Sequence, residues 1–192
     1  MNKKQALVYA AALAVCFLLG CGVSLILGAL DARDESIAPI AGGQTIDFTE
    51  YGFTLTVPSE YILSDYTTNN HAEGGDALFA GCAYASGSEL YIYCYANDAG
   101  DSVSDYGQQE LVTYYTSAGA DEVRLRELGG RRFVCYEALV ETAEGAQRWY
   151  LYETWDSLHQ LTFETQIPPE GALPILKTLS FPGDAPGSQT DA

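Results

Sequence analysis

The sequence predicts an α+β domain: an antiparallel sheet, made of an N-terminal strand, a hairpin and a four-strand meander, flanked by helices and preceded by one membrane-spanning helix. Three observations predict it. Residues 5–30 contain no charged side chain, residues 122–167 alternate apolar and polar side chains between short turns, and a helical pattern precedes that meander.

Residues 5–30 are long enough to cross a bilayer, since about 20 apolar residues suffice. Lysines precede this segment and carboxylates follow it from Asp31, which predicts a cytoplasmic N-terminus and an extracytoplasmic remainder. The alternative is a lipoprotein signal, because residues 18–21 resemble a bacterial lipobox and would make Cys21 the lipidated first residue. Residues 22–30 remain apolar, which favours an uncleaved signal-anchor over a processed lipoprotein.

The remaining chain divides into a tether over residues 31–47, a folded domain over 48–181 and a disordered tail over 182–192, which is rich in Gly, Pro, Ser and Asp. Seven basic side chains stand against 26 acidic ones after residue 30. Such an excess repels phosphate backbones, so nucleic acid is excluded as a partner. Solubility explains the acidity, and affinity for divalent cations or for a basic partner is the alternative.

The first strands of the domain are marked by alternation. Residues 51–57 form one strand, which ends at Pro58 because proline cannot donate to a ladder. Residues 77–85 and 89–96 form a hairpin. One face of its second strand carries Tyr91, Tyr93 and Tyr95, and the other carries Leu90, Ile92 and Cys94.

The meander is predicted from its turns. Gly129 and Gly130 suit a two-residue turn that pairs Leu125 with Val134 and Val123 with Tyr136, and a turn at residues 144–145 pairs Val140 with Trp149. A three-residue loop at 156–158 is preferred to a two-residue one because a one-residue slip exchanges the two faces of a strand. One continuous apolar face then contains Val123, Leu125, Val134, Tyr136, Ala138, Val140, Trp149, Leu151, Trp155, Leu161, Phe163 and Ile167.

Two helices are predicted around the meander. Ser102 and Asp105 form a capping-box pattern, and the helix after them is expected to bury Leu111, Tyr114, Tyr115 and Ala118 and to stop at Gly119. A short helix over residues 172–179 follows the last strand, with Pro174 in its first turn, where proline is tolerated.

The order of these elements resembles the PsbP-like superfamily, which includes the DcrB-type bacterial lipoproteins. The segments that carry the resemblance are YGFTLTVPSEY at 51–61, GGRRFVCYEA at 129–138, YLYETW and LTFET in the next strands, and ILKTLSF at 175–181. It covers residues 48–181 and implies an antiparallel sheet with helices on both sides. Members are often non-catalytic accessory or interaction proteins, and the resemblance carries over no functional residue.

Motifs for catalysis are missing from the sequence: neither G-x-S-x-G nor S-x-x-K occurs, and no cofactor is predicted. A weak candidate for a cation site is the loop with His71, Glu73 and Asp76, for which an ordinary polar loop is the simpler interpretation. His159 is expected to be a boundary histidine rather than a catalytic one. Paired carboxylates for glycoside hydrolysis stay open, because 26 acids always supply some pair.

Two further candidates lie in the hairpin. Tyr91, Tyr93 and Tyr95 are the best candidate binding surface, since exposed tyrosines suit sugars, peptides and proteins, although tyrosine also packs well in strands. Cys82 and Cys94 are expected to share a face on neighbouring strands, which would permit a disulfide outside the cytoplasm. Cys135 is then unpaired, and three buried thiols are the alternative.

These observations predict a membrane-tethered extracytoplasmic binding or accessory module of the bacterial cell envelope, non-catalytic, with a protein or cell-envelope component as its partner. The alternative is an envelope hydrolase or a receptor for a small ligand or cation, with an unrecognised site. A concave pocket with converging polar groups would favour the alternative, and a flat aromatic patch would favour the binding module.

Overall fold

Nine strands and two α-helices make up the part of the chain that the computed structural model describes, which is residues 37, 38, 40, 42–65, 67, 77–142 and 145–181. The strands are β1 Gly43–Phe48, β2 Phe53–Pro58, β3 Ile62–Asp65, β4 Phe79–Ala85, β5 Ser88–Ala96, β6 Asp121–Leu128, β7 Arg131–Thr142, β8 Gly145–Trp155 and β9 His159–Thr165. The helices are α1 Gln108–Ser117 and α2 Pro169–Leu176.

Several predicted features lie outside the described residues: the anchor over residues 5–30 with Cys21, the loop with His71, Glu73 and Asp76, and the tail over residues 182–192. Among the described residues, neither helix has the length and apolar character needed to cross a membrane.

The strands form two antiparallel sheets, which confirms an α+β fold. β1 and β2 make a two-stranded sheet, and the other seven strands follow the order β3-β4-β5-β9-β8-β7-β6. β1 begins at Gly43, inside the predicted tether, so the folded domain starts earlier than residue 48. β3 is an unpredicted edge strand next to β4.

One face of the large sheet, here called the α1 face, is covered by the connection from β5 to β6. This connection leaves the middle of the sheet and returns at its edge, carrying α1 across the face. The buried cluster there comprises Val103, Leu111, Leu125 and Val134. Three details of the predicted helix are wrong. The capping box of Ser102 and Asp105 caps a short 3-10 turn rather than α1, Tyr114 is 66% exposed instead of buried, and Ala118 is exposed as well.

The opposite face, here called the hairpin face, carries the larger core. β1, β2 and α2 pack on it, and its buried side chains include Leu55, Val57, Leu90, Ile92, Phe163 and Leu176. α2 starts three residues before the predicted helix, so Pro174 lies in the second turn rather than the first. Its missing N–H removes one backbone hydrogen bond from this eight-residue helix, which burial of its apolar residues offsets.

The first turn of the meander is confirmed. Gly129 and Gly130 both have positive φ, 58° and 81°, and Leu125 pairs with Val134 as predicted. The backbone of Gly129 also lies against the carbonyl oxygen of Lys177, where a Cβ would come within 2.4 Å of that oxygen. A bulge between Asp121 and Arg124 interrupts the predicted pair of Val123 with Tyr136, but both side chains pack against the same cluster on the α1 face, as predicted.

After the second turn, the predicted pairing register of β7 with β8 is wrong by two residues. Thr142 pairs with Gly145, so Val140 faces Gln147 and Trp149 faces Ala138. A shift of two residues keeps every side chain on its predicted face, because side chains alternate with period two. The face assignment in β7 and β8 therefore survives although the partners differ.

The third turn is the substantive correction. Trp155 pairs with Gln160 instead of His159, so four residues separate the paired ends and the predicted three-residue loop is wrong. Leu161 and Phe163 lie on the hairpin face, whereas Gln160, Thr162 and Glu164 lie on the α1 face. The prediction assumed one apolar face, but both faces of this sheet are covered, so β9 buries its apolar residues on the second one.

Candidate functional site

The predicted tyrosine row lies on the α1 face of β5, in the part of the sheet beside α1. Its members pair across to the polar residues of β9: Tyr91 with Glu164, Tyr93 with Thr162 and Tyr95 with Gln160. The rings of Tyr93 and Tyr95 stack at 6.3 Å between centroids, and Tyr91 lies 5.8 Å from Trp149. All three tyrosines are half-buried, so each ring packs against its neighbours with one part and is exposed to solvent with the other.

A cleft opens where this row ends, between the loop after β5, α1 and the last turn of the meander. It encloses about 380 Å³, and its lining residues are Asn97, Ala99, Asp101, Tyr106, Tyr114, Tyr115, Trp155 and Gln160. We call it the aromatic cleft. Gln160 joins it to the row, because Gln160 pairs with Tyr95 on one side and with Trp155 on the other.

The loop that forms one wall of the cleft is fixed by Asn97. Its amide nitrogen donates to the carbonyl of Asp101 at 2.8 Å and to the carbonyl of Asp156 at 2.5 Å, and its backbone N–H donates to the carbonyl of Leu158 at 2.8 Å. Asp156 in turn accepts from the backbone N–H groups of Leu158 and His159 at 2.8 and 2.9 Å. These bonds tie the loop to the β8–β9 turn, so the protein's own contacts hold this wall of the cleft in place.

The aromatic rings of the cleft are held by polar contacts at their edges. The hydroxyl of Tyr106 donates to Asp101 Oδ2, and its ring meets Trp155 edge-on at 6.0 Å between centroids. This hydrogen bond is the first cause of a raised pKa at Tyr106, so the phenol stays protonated at neutral pH. On α1, Tyr114 and Tyr115 form a second edge-on pair at 5.4 Å.

A carboxylate beneath the cleft fixes α1 to the sheet. Glu153 is only 9% exposed, and its two oxygens each accept from one phenol: Oε2 from Tyr115 at 2.6 Å and Oε1 from Tyr136 at 2.5 Å. Burial, followed by the charge of Glu153, raises the pKa of both tyrosines well above the usual range. The ring of Tyr115 is therefore a fixed wall of the cleft.

Two more acids line the same face. Burial raises the pKa of Glu164, and the charge of Glu153 adds to that shift. Glu89 accepts from the hydroxyl of Tyr91 at 2.8 Å, and this bond is the main reason that the pKa of Tyr91 rises to about 12. The α1 face thus combines neutral phenols with carboxylates.

The other predicted site residues are brought to different places. His159 lies half-buried at the β8–β9 turn, with Nδ1 4.0 Å from Asp156 Oδ1. Cys82 pairs with Tyr91 on the α1 face, whereas Cys94 pairs with Phe79 on the hairpin face, so the prediction that they share a face is wrong. Both are free thiols. Within the described ranges, no three His, Cys, Asp or Glu side chains gather as a metal site.

Sequence reasoning found the tyrosine row and missed the cleft beside it. The helical spacing predicts Tyr114 and Tyr115 in a buried stripe of α1, and the alternation of the meander predicts Trp155 on its apolar face. The sequence carries a signal for Glu153, because it is a single acidic residue between Leu151 and Trp155 on the apolar face of β8. Nothing in the spacing of Asn97 and Asp101 indicates their roles, because these depend on the contact of Asn97 with Asp156, 59 residues later along the chain.

Taken together, the fold and the cleft define a small α+β domain with a two-sided antiparallel sheet and a preformed aromatic cleft. The chain has a PsbP-like fold. It is similar to the solution structure of cyanobacterial PsbP (CyanoP) from Synechocystis sp. PCC 6803, with a TM-score of 0.52 and 14% identity over 75% of this chain and 95% of that one.

A crystal structure from Bacteroides thetaiotaomicron VPI-5482 is similar as well, with a TM-score of 0.51 and 11% identity over 73% of this chain and 49% of that one. At these identities the similarity concerns the fold alone. No protein-family model and no curated protein matches the sequence.

Proposed function

We propose that this protein is a non-catalytic binding or accessory module of the bacterial cell envelope, tethered to the membrane by residues 5–30, with its folded domain outside the cytoplasm. The preformed aromatic cleft is the observation that carries the proposal. Four aromatic rings line one cavity, and the tyrosine row extends its surface across β5. Aromatic side chains of this kind are enriched at the centres of binding interfaces.

The geometry also supports binding over chemistry. The residues lining the cleft include no Ser, Cys, His or Lys, so its groups for acid–base or nucleophilic chemistry are limited to Asp101 and the three tyrosines. Its one carboxylate, Asp101, accepts a hydrogen bond from Tyr106. The resemblance to the PsbP-like superfamily implies an accessory role in the same direction.

A small-ligand receptor is the second candidate, and the volume of the cleft favours it. Ligand pockets in proteins usually enclose about 300 to 1,000 Å³, and the aromatic cleft, at about 380 Å³, falls within that range. The cleft is open to solvent along one side and continues into the tyrosine row, which suits an extended segment of a larger partner better.

The proposal is tested by photo-crosslinking in living cells that express the full chain. A benzoylphenylalanine placed at Tyr114, which lies in the cleft and is 66% exposed, is expected to form a covalent adduct with one partner. The matched control is the same probe at Leu139, which is 62% exposed on β7 and does not line the cleft. Equal labelling at both positions, or none at Tyr114, would contradict the proposal.

Substitution of the tyrosine row gives an independent check. Replacing Tyr93 and Tyr95 with serine is expected to reduce the crosslinked adduct at Tyr114, because the row extends the cleft through Gln160. His159→Gln is expected to leave the adduct unchanged, because His159 is not part of the cleft lining. Circular dichroism of each variant shows whether the domain remains folded.

A further inference from the structure

We infer that the aromatic cleft binds the guanidinium group of an arginine side chain on an extended segment of the partner protein. This inference rests on the proposed function and names the chemistry of the partner. It follows from three properties of the cleft: the charge of its walls, the arrangement of its rings and its connection to the tyrosine row.

The walls of the cleft are acidic. Residues 34–123 contain fifteen Asp and Glu side chains and no Lys or Arg, and four of those acids lie in the segment 97–117 that forms the loop and helix beside the cleft. Among the lining residues themselves, Asp101 is charged and none is basic. A cavity with charge of one sign attracts ligands of the opposite sign.

Arg132 contacts the backbone of one residue that lines the cleft, Tyr106. Arg132 donates from Nη1 to the carbonyl oxygen of Tyr106 at 3.2 Å, and its Nε lies 3.4 Å from Glu127 Oε1. Its positive charge is thus paired with Glu127, and its guanidinium binds the backbone of Tyr106 rather than the side chains that line the cleft. The negative charge of Asp101 is left for a ligand.

The rings supply the second half of the recognition. A guanidinium is planar and weakly hydrated, so it stacks on aromatic faces while its N–H groups donate to a carboxylate. Tyr106, which binds Asp101, meets Trp155 edge-on, and Tyr114 and Tyr115 form a second edge-on pair in the lining of the same cleft. Asp101 Oδ2 accepts from the hydroxyl of Tyr106, and the second oxygen of the carboxylate, Oδ1, is the acceptor for a guanidinium N–H.

The opening of the cleft onto the tyrosine row favours an arginine within a peptide over a small free cation. Tyr95 and Tyr93 continue from Gln160 along β5, so the residues that follow the arginine on this side have an aromatic surface to lie on. An isolated cation would leave that surface unused. The occupant is therefore a basic segment of a protein.

The test is a titration of the purified full chain, followed by the amide shifts in NMR spectra. The probe is a blocked seven-residue peptide of glycine and serine with one central arginine. Its twin carries citrulline, which has the same shape without the charge, and a third peptide carries lysine. The arginine peptide is expected to shift signals from residues 97–117 and Trp155, with affinity falling as salt is added.

Substitutions distinguish the effect of the charge of Asp101 in the cleft from the effect of the domain's overall negative charge. Asp101→Asn is expected to weaken binding of the arginine peptide by about tenfold, the loss of one charge-assisted hydrogen bond. Glu141→Gln removes the same charge from an exposed position on β7, outside the cleft, and is expected to leave the affinity within about twofold. Tyr114→Leu keeps an apolar side chain but removes the ring, and is also expected to weaken binding.

Each outcome bears on the inference separately from the proposed function. Binding of the citrulline or lysine twin as tight as that of the arginine peptide, or equal effects of Asp101→Asn and Glu141→Gln, would overturn the assignment of a guanidinium. A partner crosslinked at Tyr114 would then still support the binding module. Absence of both peptide binding and crosslinking would overturn the two together.

Discussion

The buried carboxylate of Glu153 provides a sharp test of how α1 is held on the sheet. Each of its oxygens accepts from one phenol, Tyr115 on α1 and Tyr136 on β7, at 2.6 and 2.5 Å. Tyr115→Phe and Tyr136→Phe each remove one hydroxyl and keep the ring, so the packing of the cluster is preserved. The carboxylate loses a donor and has little access to water, since Glu153 is 9% exposed.

A hydrogen bond to a charged group contributes about 1.5 to 3 kcal/mol, so we expect each variant to lower the free energy of unfolding by that amount. The double variant leaves the buried charge with neither phenol and is expected to cost about 3 to 5 kcal/mol, which is the cost of leaving a buried charge uncompensated. The two effects share one partner, so they need not add.

The measurement is urea denaturation at pH 7, followed by far-ultraviolet circular dichroism. Tyr114→Phe is the matched control: it removes a hydroxyl from the neighbouring residue of α1, which is 66% exposed, and is expected to change stability by less than about 0.5 kcal/mol. If Tyr115→Phe costs no more than this control, Glu153 is hydrated and the anchoring of α1 is wrong.

Three other predictions concern the core and its titratable groups. Phe163→Ala is expected to cost about 3 to 5 kcal/mol in denaturant unfolding, because the ring is fully buried on the hairpin face; a loss below 1 kcal/mol would contradict that burial. Burial raises the pKa of Glu164, so the folded state keeps its proton to higher pH than the unfolded chain, and the resulting stability is lost as pH rises. Glu164→Gln is therefore expected to stabilise the domain at pH 7 and to have no effect near pH 3, below the unfolded pKa of about 4.3; equal stabilisation at both values would contradict the assignment. Burial also raises two thiol pKa values, to about 11 at Cys82 and about 12 at Cys94. Alkylation followed by mass spectrometry should therefore find slow reaction in the folded domain, fast reaction in urea and no disulfide among Cys82, Cys94 and Cys135.

The sequence predicts which segments form strands and helices better than it predicts which side of the sheet each side chain occupies. Alternation and turn residues located the hairpin of β4 and β5 and the two-residue turn at Gly129 and Gly130, because these signals are local. The face of Phe163 depends on whether one or both sides of the sheet are covered. That is decided by β1, β2 and α2, which come from opposite ends of the domain.

In the candidate site, too, features set by local sequence are predictable and features set by contacts between distant segments are not. The tyrosine row on β5 is visible from period-two alternation, which is a local property. The aromatic cleft requires the loop at Asn97 to meet the β8–β9 turn at Asp156, and the two are brought together only by the order of strands in the sheet. The cysteine prediction failed for a local reason: the predicted strands leave three residues, 86–88, between them, whereas the turn between β4 and β5 has two, and this register places Cys82 and Cys94 on opposite faces.

Hydrogen exchange of the full chain, alone and bound to the partner crosslinked at Tyr114, tests most directly whether the aromatic cleft is the binding site. The account predicts that the partner slows exchange of the backbone amides in residues 97–117 and in the β8–β9 turn. It predicts no change at Leu139 and Val140, which are exposed on β7 and are not among the residues that line the cleft. Slowed exchange around Leu139 and Val140, with residues 97–117 unchanged, would contradict it.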